Sequence, residues 1–439
     1  MPTELVYRSI HTAFRLNRFI WKTPLGWNHI LKRYTFDKGG PSKFKWWYIV
    51  IVFSFLCVNG AGNVFVIYSH LFRNRYQMTA HHIIQYIIIT FAGLLAAGTG
   101  LVILVRGDDV VAIVNAALDL YNEFRKMEDK TLVNSKDNSK TNLLQKSIRI
   151  GQPRQLAKTK EGNLDKAGLL CLTVFTTSII LAHIMAPIVV LMDYDAMNFI
   201  LRDIWDALGI WNNVVVRVLS FCFRTANMYI FYMEVQRILP FIIFILAIAG
   251  QMGLKSLCIV LRHAENARLG RTTLTIAWIT RYKGIQVLVK VHEVPLAVQT
   301  FVLMALGLCL SASMNFASIR FLDYGLNPLF YIRFPFYAII ILLIIIALLP
   351  LAIRANTTSG QIITYWKNRV RAQGEHRLIR TTLRALRPVK VYAGVNGTNL
   401  FGVDKPVLGT YLSSIIDWTI TLLITLPRDQ LQLNLGKLK

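Results

Sequence analysis

The amino-acid sequence predicts an all-α polytopic membrane protein with seven transmembrane helices, and three observations predict it. Hydrophobic residues make up 54% of the chain and charged residues only 16%. The charges fall in blocks between long apolar runs, and mean hydropathy is +0.45. Those runs are continuous rather than alternating. That fits helices, which satisfy their backbone hydrogen bonds within the segment, and not the short alternating strands of a β-barrel. The net charge of +26 would suggest nucleic acid in a soluble chain. Confined between apolar runs, it points to membrane topology and anionic lipid instead, with no nucleic-acid partner.

Residues 1–45 carry nine Lys/Arg against Glu4 and Asp37. The part from Arg8 to Ile20 fits an amphipathic helix lying on the inner leaflet. No cleavable signal peptide is expected, because the first apolar run begins only at Trp46. The first span is placed at 46–72, with Trp46, Trp47 and Tyr48 as interfacial anchors, and the second at 83–105. Residues 106–166 read as a polar linker with twelve Lys/Arg, mobile near Asn134 to Asn142. The third span, 167–192, is followed by an acidic connection of Asp193, Asp195, Asp203 and Asp206. The fourth contains the charge-free stretch 238–254 and starts near Asn227, so that Glu234 and Arg237 can pair across one turn.

A second basic linker, 255–292, has seven Lys/Arg and precedes the fifth span, 294–316, and the sixth, 334–353. A third, 354–405, has ten, and its part from Gln361 to Arg387 reads as a cationic helix. That helix is either a solvated or headgroup-facing surface or a layer joining subunits beneath the membrane. The seventh span is 406–427 and the tail 428–439.

Of the 49 Lys/Arg, 38 fall on the N-terminal side of the membrane in this layout. Basic residues favour the cytosol, so the N-terminus is placed inside and the C-terminus outside, with the chain in the plasma membrane. A G-protein-coupled receptor has the reverse orientation. The NPxxY-like Asn327–Tyr331 stands before the sixth span rather than at the end of the seventh. The sequons at Asn356 and Asn396 fall on the inner side and should stay unmodified.

No HExxH, GxxxxGK[ST] or GxSxG motif and no usefully spaced acid pair is present, so no enzyme, cofactor or metal is expected. His81 and His82 read as interfacial histidines, and His292-Glu293 as a pair that caps or snorkels at the entry of the fifth span. The five scattered cysteines read as small buried hydrophobes, and Gly60, Gly62, Gly93, Gly98 and Gly100 as close helix packing.

The last span carries the functional signal. At about 100° per residue, Thr410, Ser413, Ser414, Asp417, Thr421 and Thr425 fall within about 60° of one line, with Thr419 opposite. A carboxylate near the bilayer centre is costly facing lipid and usually lines water or a protein interior. These residues are candidate pore-lining groups. The alternative is a buried helix whose hydroxyls bond their own backbone, which explains the threonines but not Asp417.

Just before that span, Phe401-Gly402-Val403-Asp404 fits an F-x-[IV]-D element. With the seven spans, inside N-terminus and basic inner loops, the chain resembles the insect gustatory receptor family of the insect chemoreceptor superfamily. The family's TYhhhhhQF signature is degenerate here. Either Thr410-Tyr411 opens it and Asp417-Trp418 stands for QF, or, in the register counted from Phe401, Val403 and Asp404, Asp417-Trp418 stands for TY. The second keeps the signature deep in the helix. In neither does Glu follow the TY position, so a non-sugar role, bitter or other, is the default.

The resemblance implies a homotetramer, or a heteromer with co-receptor subunits, whose seventh helices surround a central pore. Residues 46–353 would be the ligand-binding bundle and 354–405 a cytoplasmic anchor. A small-molecule tastant would open a non-selective cation channel in gustatory neurons. Outer-half candidates for ligand contact are Tyr68, His183, Tyr229, Tyr232, Ser311, Asn315 and Tyr337. A secondary transporter is the alternative from another class, disfavoured because no internal repeat or paired broken helices are visible.

Overall fold

The computed structural model describes residues 4–17, 20–39, 41–73, 75–76, 78–136, 166–269, 276–324, 328–373, 377–395 and 397–426. Helix α1 (Glu4–Leu16) and an antiparallel hairpin, β1 (Leu25–Asn28) with β2 (Arg33–Phe36), precede the first apolar run. That run is built from α2 (Lys45–Ile49), a π-helical stretch Val50–Ala61, and α3 (Gly62–Arg73). Then follow α4 (Ala80–Lys136), α5 (Lys166–Leu191), the short α6 (Met197–Ala207), α7 (Val214–Arg268), α8 (Ile276–Val291) and α9 (Glu293–Arg320). Next come the single turn α10 (Pro328–Tyr331), α11 (Arg333–Gln373) and α12 (Arg377–Ala385). A second hairpin, β3 (Tyr392–Val395) with β4 (Thr398–Gly402), leads into α13 (Lys405–Thr425). The two hairpins are a small addition to an otherwise helical architecture.

Among the described residues, seven stretches are long and apolar enough to cross a membrane. Two of them, Val214–Ile238 and Ile245–Ala267, lie on the single helix α7, while α5 contributes the shorter apolar stretch Thr176–Leu191. The long helices are therefore the composite first one, α4, α5, α7, α9, α11 and α13.

The described parts of the first two basic linkers are largely helical, which corrects the sequence reading, while the third carries helix where it is expected. Helix α4 runs 57 residues through a kink at Arg106 (φ −134°). The first part of 106–166 thus continues the second span, and 137–165 lie outside the described residues. Helix α7, of 55 residues, begins at Val214 rather than near Asn227 and runs on to Arg268. Helix α11 carries the sixth span on to Gln373. At about 1.5 Å per residue α7 is about 80 Å long, far more than the roughly 30 Å of hydrocarbon in a bilayer. Charge marks where a helix leaves an apolar environment, not where it ends. Lys, Arg, Glu and Gln are good helix formers in water.

Helix α7 is the hub, packed against α4, α5 and α11. At the basic end, Phe124, Leu257, Tyr282, Ile362, Trp366 and Leu383 form one core. The cationic 361–387 stretch is thereby two-sided, with Arg380, Arg384 and Arg387 exposed over that core. At the opposite end, Ile88, Met228, Phe316, Phe321, Phe330 and Phe334 form another. Helix α1 buries Val6, Ile10 and Ala13 with Leu25 and Tyr34 of its hairpin, so its apolar face is covered by protein rather than turned to a leaflet. Glycine permits two close approaches: a Cβ at Gly93 would lie 3.2 Å from Phe231, and one at Gly100 2.8 Å from Ile51. Cys57, Cys222 and Cys258 are exposed, not buried as expected. In lipid an apolar side chain needs no burial, so outward faces can carry them.

Candidate functional site: a polar stripe and a buried arginine

Helix α13 is the least buried of the candidate spans. It buries a narrow face of Tyr411, Ile415 and Thr419. Tyr411 donates to the Met304 carbonyl of α9 at 2.8 Å, and Ile415 packs with Ile345 and Leu349 of α11. Opposite that face, Thr410, Ser413, Asp417, Thr421 and Thr425 are exposed and Ser414 is half-buried. The threonines bond their own backbone: Thr410 to Pro406, Thr421 to Asp417 and Thr425 to Thr421. This relieves their hydroxyls and leaves Asp417 as the stripe's one charged group. Among the described residues its side chain meets only the Ser413 hydroxyl, at 3.4 Å. Ile416, Trp418, Ile420 and Ile424 are exposed beside it.

Both ends of α13 are clasped. Before it, Val403 is buried with Tyr411 and Ile415, while Phe401 is exposed on β4. Asp404 accepts from Asn356 Nδ2 at 2.7 Å and pairs with Lys390 at 2.8 Å, which raises the Lys390 ammonium above its ordinary range. Asn356 of the first sequon is thus engaged; Asn396 lies outside the described residues, as does Asn327. Glu293 accepts from Asn399 of β4 at 2.6 Å, so it fastens the hairpin rather than capping α9. At the far end, Arg320 of α9 donates to the carbonyls of Leu423 and Leu426, at 2.6 and 2.8 Å, filling acceptors a helix C-terminus leaves open.

The ligand candidates separate. Tyr232 of α7 and Tyr337 of α11 come together around Arg333, the first residue of α11. Arg333 is 4% exposed and donates to Gln85 Oε1 at 2.6 Å. Both tyrosines lie near enough to the guanidinium to interact with it electrostatically. Phe330 and Phe334 lie 3.5 and 4.6 Å from the guanidinium. Arg333 Nε and Gln236 Oε1 have no partner among the described residues. His183 and Tyr229 form a separate pair at 2.8 Å. Tyr68 is exposed against Phe72; Ser311 is buried and Asn315 half-buried on α9. Sequence reasoning missed Arg333, Gln85 and Gln236. The available signal was a single one: an arginine and a glutamine stand at the beginnings of otherwise apolar helices.

Two other buried charges, Glu234 and Arg224, are paired. Glu234 is fully buried, accepts from Trp47 Nε1 at 2.6 Å and Trp21 Nε1 at 3.1 Å, and pairs with Arg237 as the spacing predicts. Arg224 is bound by Asp195 and Asp193. Neither arginine is available to Asp417. The His81 and His82 rings lie 4.5 Å apart, tilted by 30°, and no group of three metal-ligating side chains occurs among the described residues.

No family model matches the chain, and no curated protein matches its sequence. Its fold is that of solved insect olfactory receptors. The chain is similar to olfactory receptor OR5 from Machilis hrabei in complex with eugenol, with TM-score 0.54 and 11% identity over 96% of this chain and 99% of that one. It is also similar to a second structure of olfactory receptor OR5 from Machilis hrabei, with TM-score 0.52 and 12% identity over 95% of this chain and 97% of that one.

Proposed function

We propose that the chain is a chemoreceptor acting as a ligand-gated, non-selective cation channel, in the manner of insect gustatory receptors. The observation that carries the reading is the exposed polar stripe of α13 with Asp417 unpaired at its middle, on a helix the rest of the chain barely covers. In this reading the N-terminus is cytosolic and the C-terminus extracellular. Subunits of a homotetramer, or of a heteromer with co-receptors, bring their α13 helices around one pore. The Asp417 carboxylates form a ring that attracts cations and repels anions. Thr410, Ser413, Ser414, Thr421 and Thr425 line the same path. A small molecule, a tastant of the non-sugar type, binds where Tyr232 and Tyr337 converge. The similarity to a receptor holding eugenol supports a small organic ligand. The protein then resides in the plasma membrane of gustatory neurons, among lipids that solvate its exposed apolar faces.

The test is expression in cells without endogenous chemoreceptors, with and without co-receptor subunits, under whole-cell recording and a tastant panel. A rapid cation current that persists when G-protein signalling is blocked is the expected result. A current abolished by that block would make the chain a G-protein-coupled receptor, and a reversal potential tracking a substrate gradient would make it a transporter. A mobility shift on endoglycosidase treatment that depends on Asn356 or Asn396 would reverse the orientation.

A further inference from the structure

This chain shows what a buried guanidinium ordinarily has. Arg224, on α7, meets both oxygens of Asp195 through Nε at 3.0 Å, and its Nη2 lies 2.6 Å from Asp193. It also donates to the Val190 carbonyl at 3.1 Å. Arg333 is buried as deeply, and among the described residues no carboxylate pairs with it. It donates to the neutral Gln85, lies over the Phe330 and Phe334 rings, and has Tyr232, Tyr337 and Tyr194 nearby. Burying a charge without a counter-charge is costly, and the usual remedy is a paired acid. The aromatic faces and neutral acceptors compensate in part. Among the described residues neither Arg333 Nε nor the buried Gln236 Oε1 has a hydrogen-bond partner.

We propose that Arg333 is the specificity-determining residue of the ligand site, and that the ligand class it selects is small organic acids, whose carboxylate supplies the counter-charge that no described residue gives this arginine. The proposal rests on the reading above that ligand binds where Tyr232 and Tyr337 meet. A guanidinium recognises a carboxylate by two parallel N–H bonds, and it stays charged at every physiological pH. Phe330, Phe334 and the tyrosines offer apolar and aromatic walls for the remainder of the molecule. A neutral ester or alcohol of the same shape would fill the walls and leave Arg333 as it is. The discrimination therefore falls on the charge, not on the carbon skeleton.

The experiment uses full-length protein in detergent and its melting temperature against ligand concentration. The probes are matched pairs: acetate, hexanoate, benzoate and cinnamate, each against its methyl ester. At least one acid should stabilise with an affinity about tenfold or more above its ester, as a charged hydrogen-bonded contact implies. Arg333→Met, a volume-conserving change, should erase that preference while leaving ester binding within about threefold, since the apolar walls are untouched. Esters equal to or better than acids in every pair would overturn the proposal, as would an Arg333→Met protein that keeps the preference. The wild-type pairs decide even where the variant does not fold. Acid-selective stabilisation with no gated current would sink the channel reading alone. Gated currents with no acid preference would sink this one alone.

Discussion

Two buried arginines set the two ends of this fold's charge chemistry against each other. Arg224 lies inside a closed knot: Asp195 and Asp193 neutralise it, and Asp195 also accepts from the Asn198 backbone at the start of α6. The acidic connection after α5 thereby becomes a structural staple between α5, α6 and α7. Arg333 lies among neutral partners, with a donor left over. A satisfied buried charge holds helices in register. One whose counter-charge is missing stores a preference for whatever brings it, at some expense in stability.

The comparison is broken or sharpened first at Asp195. Asp195→Ala strands Arg224 and is expected to lower stability by about 3–5 kcal/mol, read as the melting temperature in detergent. An effect below that of surface substitutions would mean the knot is not what holds α7. Glu234→Gln should come next, at about 1–3 kcal/mol, because it weakens the acceptor shared by Trp21, Trp47 and Arg237. Arg333→Met is expected to lower stability by about 1–2 kcal/mol, since it strands the buried Gln85 acceptor but no charge. A loss as large as that of Asp195→Ala would place Arg333 in the same structural class as Arg224. Asp417→Ala should change stability least, within about 0.5 kcal/mol, because Asp417 is exposed and nearly unbonded. Its effect belongs to conduction: single-channel cation conductance or divalent permeability should fall at unchanged surface expression. Equal permeation would take Asp417 out of the pore.

The stripe on α13 and the knot on α7 were legible from the sequence to different degrees. Spacing alone put Thr410, Ser413, Asp417, Thr421 and Thr425 on one face and Thr419 on the other, because a helix has a fixed turn angle. The same arithmetic paired Glu234 with Arg237. It could not say that Trp21, in the basic N-terminal segment and 213 positions before Glu234, would donate to that carboxylate. Nor could it bring Asp195 to Arg224, Gln85 to Arg333, or Arg320 to the last carbonyls of α13. Outer-half aromatic character points to Tyr232 and Tyr337, but only the fold brings Arg333 near them.

What the sequence determined by itself was therefore local and solvent-related. Apolar length sets which stretches suit a membrane, and helical period sets which side chains share a face. The chain's charge blocks set a topology to be tested. Only the tertiary structure decided where helices end beyond the apolar runs, how α7 gathers α4, α5 and α11 around itself, and which buried charges are paired. The reason is physical. Hydropathy and period act through neighbours a few residues away, whereas the cost of a buried charge depends on groups that the fold alone brings within about 3 Å.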